Sequence, residues 1–346
     1  MGPWRILYSR NFTDLTTYTN NTLYIPLYIN WKELDKTPFM HFFTLLMELE
    51  VVILGLNAVV NGMLAFKVHK MNSIHQNLKW IYFSHLMEYY AFFFAQLILM
   101  CYQVGWIYIG FDSSQDYLLV VCGIIKLHRL WSSWFIIFAV VIERTWATCA
   151  IKHYENQKNA CLAFVLVTLK VTITIYMAIN TIKLRVNFIT CFVIGYSIIG
   201  FSFAWISILI WSNKRMIHSL EKLQSYKDYD LSQRYQLKEN DRVLTITRVF
   251  YFIISFNVTC ALMMILCMQF LVFGKDIAPF FVLFMEFLIA STPIHFVIAL
   301  KLMPSSYLQV TEQPRHDHPP CRCPLTHFTN EEESTLYFSQ FKQMWK

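Results

Sequence analysis

The stretch Tyr117–Glu155, YLLVVCGIIKLHRLWSSWFIIFAVVIERTWATCAIKHYE, decides the fold. It begins as an apolar run, carries Lys126 and Arg129 inside that run, reaches Glu143-Arg144, and passes into a basic segment from Trp146 to Asn159. An ion at the centre of a bilayer-spanning helix costs about 2.5–3.5 kcal/mol on insertion scales. Charges in such a run therefore need partners on neighbouring segments, and the remaining segments can be placed around this one.

Composition points the same way. Charged residues make up 15% of the chain, against about 25% in soluble domains, while hydrophobic residues reach 56% and aromatics 17%. The apolar residues gather in seven windows of about 20 residues, the length that crosses a hydrocarbon core of about 30 Å at 1.5 Å per residue. A soluble helical core would instead show a polar face at 3.6-residue spacing. The spans read as Met40–Phe66, Leu78–Gln103, Tyr117–Trp146, Ala160–Thr181, Phe188–Trp211, Val249–Phe273 and Pro279–Met303. The expected fold is an all-α membrane protein, a seven-transmembrane helix bundle over 40–303, preceded by a polar segment 1–39 and followed by a tail 304–346.

Loop charge orients the bundle. The loops around Lys67–Asn77, Arg144–Asn159 and Asn213–Arg248, with the tail and with Lys79 and Lys301 at the adjoining span ends, hold about 19 of the 29 Lys and Arg, and the amino end with the three alternate loops holds about 7. Positive loops stay inside, so the amino terminus is expected outside and the tail in the cytoplasm. Met1–Pro38 lacks the basic-then-apolar run of a cleavable signal peptide. It offers two glycosylation sequons, at Asn11 and Asn20, whereas a third at Asn257 falls inside a span. The net charge of +7 then reflects inner loops facing anionic lipid and a cytosolic partner. No basic stripe with stacking aromatics lies outside the spans, so nucleic acid is not an expected partner.

The third inner loop, Asn213 to Arg248, is mixed in charge, with Leu220, Leu223, Leu231, Leu237 and Leu244 at loosely helical intervals. That pattern predicts that the fifth and sixth helices continue beyond the membrane, with a solvated linker around Ser225–Asp230. In the tail, Cys321 and Cys323 follow His316-Asp317-His318 at a spacing that matches no zinc module, among prolines that indicate disorder. No metal site and no cofactor is expected. No H-E-x-x-H, phosphate-cradling glycine loop or nucleophile elbow is present, which argues against an enzyme. Nine glycines in the whole chain argue against a transporter of broken helices. A seven-span ligand-gated channel of the odorant type is the alternative, and its inside amino terminus conflicts with the loop charge.

Several strings carry a family likeness: Glu143-Arg144 with Ala147-Thr148, Tyr154-Glu155, and Leu231-Ser232-Gln233-Arg234-Tyr235-Gln236-Leu237-Lys238-Glu239-Asn240 before the sixth span. On these residues the chain resembles the nematode serpentine receptor class epsilon (Sre) chemoreceptors, over the whole seven-span body. The resemblance implies a G-protein-coupled chemosensory receptor at the plasma membrane of sensory-neuron cilia, with an unassigned small-molecule ligand. It places Glu143, Arg144, Tyr154 and Arg234 at the G-protein cleft. A more distant likeness to rhodopsin-like receptors rests on Gly55-x-Asn57, Glu143-Arg144 and Pro293, but Thr292-Pro293-Ile294-His295-Phe296 stands where those receptors keep Asn-Pro-x-x-Tyr. Many receptors of this architecture tie the third span to the fifth by a disulfide, here Cys122 to Cys191; the alternative is buried free thiols.

Lys126 lies 18 residues before Arg144, and Glu286 seven before Pro293. By the same analogy these are facing depths on the third and seventh helices, so an ion pair lining a ligand pocket is expected, the alternative being a pair that only fixes helix packing. Paired, both ions can persist where each alone would neutralise or draw in water. Arg129 is expected to meet Glu88 of the second span, leaving Glu48, Glu50 and Lys170 without partners.

Overall fold

The computed structural model describes residues 5–7, 22–24, 40–70, 75–107, 117–150, 161–183, 188–223, 231–269, 283–284, 286–294 and 297. Six long helices dominate: α1 (Met40–Lys70), α2 (Gln76–Val104), α3 (Tyr117–Cys149), α4 (Cys161–Ile182), α5 (Phe188–Leu223) and α6 (Leu231–Gln269). A seventh helical segment, α7, covers 286–294. Two three-residue strands, β1 (Arg5–Leu7) and β2 (Thr22–Tyr24), pair in parallel before the first helix, a feature without a signal in the sequence reading. The fifth and sixth helices extend well past their expected membrane edges, to Leu223 and from Leu231. The linker around Ser225–Asp230 lies outside the described residues, as do the tail and both sequons at Asn11 and Asn20.

Four described helices are long and apolar enough to cross a membrane: α1 from His41, α3, α4, and α5 over Val193–Leu220. In α2, polar side chains such as Glu88 and the buried Gln96 dilute the hydropathy of a helix of similar length. The outer faces are apolar. On α1, Val52, Leu56, Val59 and Met63 are exposed, while Phe43, Met47, Glu50, Leu54, Asn57 and Asn61 point inward at alternating steps of four and three. A helix that shows its apolar face outward and its polar residues inward is built for lipid rather than water.

At the centre stands α3. Of its span 61% is buried, against 28% in each of the other three, so it is the axis around which the bundle closes. Trp131 and Trp134 meet edge to face at 4.8 Å in its middle. Gly195 of α5 lets that packing form, since a Cβ there would lie 2.6 Å from the Trp134 ring. At the end of α2, Gly105 takes φ +84 and turns its N–H back to the Tyr102 carbonyl at 3.2 Å, closing the helix in the left-handed conformation that glycine adopts without strain.

Amides join α1 to its neighbours. Asn61 Nδ2 donates to the Leu86 carbonyl at 2.7 Å, and Asn57 Oδ1 accepts the Ile294 N–H at 3.1 Å. Ile294 follows Pro293, whose ring carries no N–H, so this bond falls where the α7 backbone is weakest. The Tyr89 hydroxyl reaches the carbonyls of Leu54 at 3.4 Å and Ala290 at 3.5 Å, adding α2 to the same junction.

Candidate functional site

Two groups of buried charge lie along α3, separated by the apolar stretch that holds Trp131 and Trp134. At the far end of the helix, Arg144 and Glu143 are both essentially inaccessible to solvent. Arg144 donates from Nε to Glu143 Oε2 at 2.5 Å and from Nη2 to Oε1 at 2.7 Å, a two-pronged pairing that fixes the plane of the guanidinium. Its remaining arm, Nη1, donates to Asn240 Oδ1 of α6 at 2.8 Å. Around this centre, Tyr82 of α2 meets Thr247 of α6 at 3.3 Å, and Trp205 of α5 donates to Thr145 of α3 at 2.8 Å. Next to Asn240 in the chain, burial raises the Asp241 carboxyl above its ordinary range, opposed by Lys214 and Arg248.

In the other group, Lys126 donates to Glu286, so α3 and α7 meet as their spacing from Arg144 and Pro293 predicts. Both residues are buried. The pair has further members: Glu50 of α1, itself buried, accepts from Gln96 Nε2 of α2 at 3.0 Å and lies within reach of both Glu286 and Lys126.

Arg129 is a correction. Its Nη1 donates to the His85 carbonyl at 2.8 Å and its guanidinium stands over the Tyr89 ring at 5.7 Å, with no direct pairing to Glu88. The partner of Glu88 is Lys170 of α4, at 2.8 Å, with Ser132 donating to the other carboxylate oxygen and His85 and His128 at 3.5 and 3.9 Å. The physical reason lies in helix order. With α4 packed against both α2 and α3, the flexible lysine stem reaches the carboxylate from the side, and the rigid guanidinium settles on the carbonyl edge beside it.

Glu50 and Lys170, expected to stand without partners, thus have them: Glu50 lies with Lys126 and Glu286, and Lys170 pairs with Glu88. Glu48 remains on the exposed face of α1. Asn57 and Glu50 share the inward stripe of α1, and that spacing, counted on the sequence, would have separated Glu50 from Glu48. His85 and His128 carried no comparable signal, and Asn240 stood in the family string with no partner assigned, because their roles depend on which helices become neighbours. Cys122 is a free, buried thiol, in agreement with the alternative to a disulfide, and the side chain of Cys191 lies outside the described residues. Tyr154 and the side chain of Arg234 also lie outside them. Among the described residues no group of His, Cys, Asp and Glu is arranged to hold a metal ion.

Comparison with known proteins fits this arrangement. The family described as Sre G protein-coupled chemoreceptor matches residues 15–346. Serpentine receptor class epsilon-38 of Caenorhabditis elegans is 25% identical over 375 aligned positions, covering 95% of this chain and 98% of its own. Serpentine receptor class epsilon-1 of the same organism is 26% identical over 181 residues, half of each chain, and class epsilon-37 is 24% identical over 66% of this chain and 69% of its own. A multi-pass helical bundle, matched by that family over nearly its whole length, this chain belongs to the Sre family of seven-transmembrane G-protein-coupled chemoreceptors.

Proposed function

We propose that the chain detects a small molecule outside the cell at the depth of Lys126 and Glu286, and passes the change to a heterotrimeric G protein at the Arg144 end. One observation carries the reading: a single central helix, α3, holds both buried ionic groups. Eighteen residues at 1.5 Å each separate Lys126 from Arg144 by about 27 Å. At one end Lys126 ties α3 to α7, and at the other Arg144 ties α3 to α6. A ligand that displaces or bridges the first tie has a rigid rod through which to bias the second, provided that it binds one of two helix arrangements better.

Loop charge supports an orientation with the amino terminus outside, glycans at Asn11 and Asn20, and the tail in the cytoplasm. Residues 1–39, 40–303 and 304–346 are then outer segment, bundle and tail, in the plasma membrane of a sensory cilium. Tyr154 and Arg234 join Glu143 and Arg144 at the G-protein cleft. Expression of the full chain with an amino-terminal tag, staining of intact cells, and an odorant panel with a calcium or cyclic-nucleotide signal test this together. Arg144→Ala is expected to abolish signalling per receptor at the surface, delivery being measured alongside because Glu143 is left buried without its partner. A tag reached only after permeabilisation would overturn the orientation and return the odorant-type channel.

A further inference from the structure

Among the described residues, the charge of the layer around Lys126 does not balance locally. Glu50 and Glu286 bring two carboxylates, and Lys126 brings one ammonium; each is no more than 4% exposed. Glu50 and Glu286 face each other, yet a carboxylate has only acceptors to offer, so their contact contains no hydrogen unless one is supplied. Among the described residues, three buried oxygens of this layer, Glu50 Oε2, Glu286 Oε2 and Gln96 Oε1, accept no hydrogen bond from a protein donor. The Gln96 amide is already committed, because its nitrogen serves Glu50 and turning it would set oxygen against carboxylate.

We propose that this layer is the binding site for a small primary ammonium ligand, its nitrogen received by Glu50, Glu286 and Gln96. The inference rests on the receptor reading of the same layer and names the chemistry of its ligand. A primary ammonium brings one positive charge and three N–H donors, matching one surplus carboxylate and three unpaired acceptors. A carboxylic acid would face two carboxylates for one ammonium. An alcohol would supply a donor and no charge. A proton shared between Glu50 and Glu286 neutralises the layer but fills a single donor role. Beside the layer, Phe43 and Met47 of α1, Leu99 and Met100 of α2, and Leu119 and Cys122 of α3 are buried. They pack in two apolar clusters on the turns leading away from Glu50, Gln96 and Lys126 in the direction opposite to Arg144, so a short apolar body on the ammonium head would meet side chains of its own kind.

The test uses the full chain purified in detergent, with unfolding temperature as the readout. Butylamine and phenethylamine are compared with butanol and butyrate, with sodium chloride and a pH series as further arms. Both amines are expected to raise the unfolding temperature in a concentration-dependent way, since a ligand that binds only the folded state stabilises it, and the alcohol and the acid are not. Glu50→Gln should weaken the amine effect about tenfold or more. Should that variant fail to fold, the comparison of amine with alcohol on the unaltered receptor still decides. An amine effect no larger than that of sodium or of a pH change overturns the proposal in favour of a bound ion or a shared proton, and an equal effect of butanol or butyrate also overturns it. The cellular signal separates the two readings. Amines that bind without a G-protein response leave the ammonium site standing and sink the receptor reading, whereas a response to neutral or acidic odorants, with no amine binding, does the reverse.

Discussion

Arg144 of α3 and Asn240 of α6 are joined at 2.8 Å by a hydrogen bond whose donor is charged and whose acceptor is neutral. With Glu143 occupying the other two arms of the guanidinium, this bond is a direct side-chain tie from Arg144 to α6 among the described residues. A bond to a charged group contributes about 1.5–3 kcal/mol, so its loss shifts a two-state balance about tenfold or more. Asn240→Ala is expected to raise basal G-protein signalling in the absence of ligand. A cyclic-nucleotide assay normalised to surface receptor measures it, and unchanged basal output would show that α6 is held elsewhere.

The Lys126–Glu286 contact calls for an exchange experiment. Lys126→Glu and Glu286→Lys each leave like charges together in a buried layer, and each is expected to lose surface delivery, since breaking one side of a buried pair costs about 3–5 kcal/mol. The double exchange keeps one ammonium and two carboxylates beside Gln96, and should recover most of the delivery. Coupling between the two positions, read by flow cytometry of a tagged receptor, is the measured quantity. Additive losses would refute a direct interaction.

Gly195 offers a packing test remote from either charged group. Gly195→Ala places a methyl carbon against the Trp134 ring, where the approach is 2.6 Å, and overpacking of this kind costs about 1–3 kcal/mol. The unfolding temperature in detergent should fall, and Trp134→Phe in the same chain should restore part of it. No change in the single variant would mean that α5 shifts freely against α3.

Asp241 predicts a pH dependence at the Arg144 end. Burial raises its carboxyl in the folded state, so charging it is harder there than in the unfolded chain, where the value is about 3.9. The folded state carries no such penalty below the ordinary carboxylate range and the full penalty above the raised value. Stability from this group therefore falls as pH rises through that window. Asp241→Asn lacks the effect, and its unfolding temperature should gain on the unaltered receptor across the same interval. A constant difference at all pH values would remove Asp241 as the source.

Much of this was legible in the sequence. Seven apolar windows need only span length and rise per residue, both fixed by the bilayer and the helix, whereas the position of Arg144 and the facing of Lys126 and Glu286 came from the likeness to rhodopsin-like receptors. Arg129 and Lys170 were not legible, because two cations and one nearby carboxylate admit two pairings, and only the packing of α4 against α2 and α3 chooses between them. Glu50 was half legible: its place on the inward stripe of α1 is readable from spacing, but its neighbour across the bundle is not. The paired strands before α1 left no trace, since three residues are too few to show an alternation.

The Asn57–Ile294 bond reads the main chain alone. Any residue but proline supplies that N–H, so position 294 can change identity without loosening α1 from α7, whereas Asn57 has no such freedom. Divergence in this part of the receptor is thereby divided unequally: the helix that carries Glu286 can drift in its side chains while its backbone stays anchored. Side chains on α7 can then change without a rebuilt bundle. Exchanging position 294 among Ile, Val, Leu and Ala should leave thermal stability nearly level, while Asn57→Ala lowers it and adds proline-like fraying to α7 measurable by hydrogen exchange.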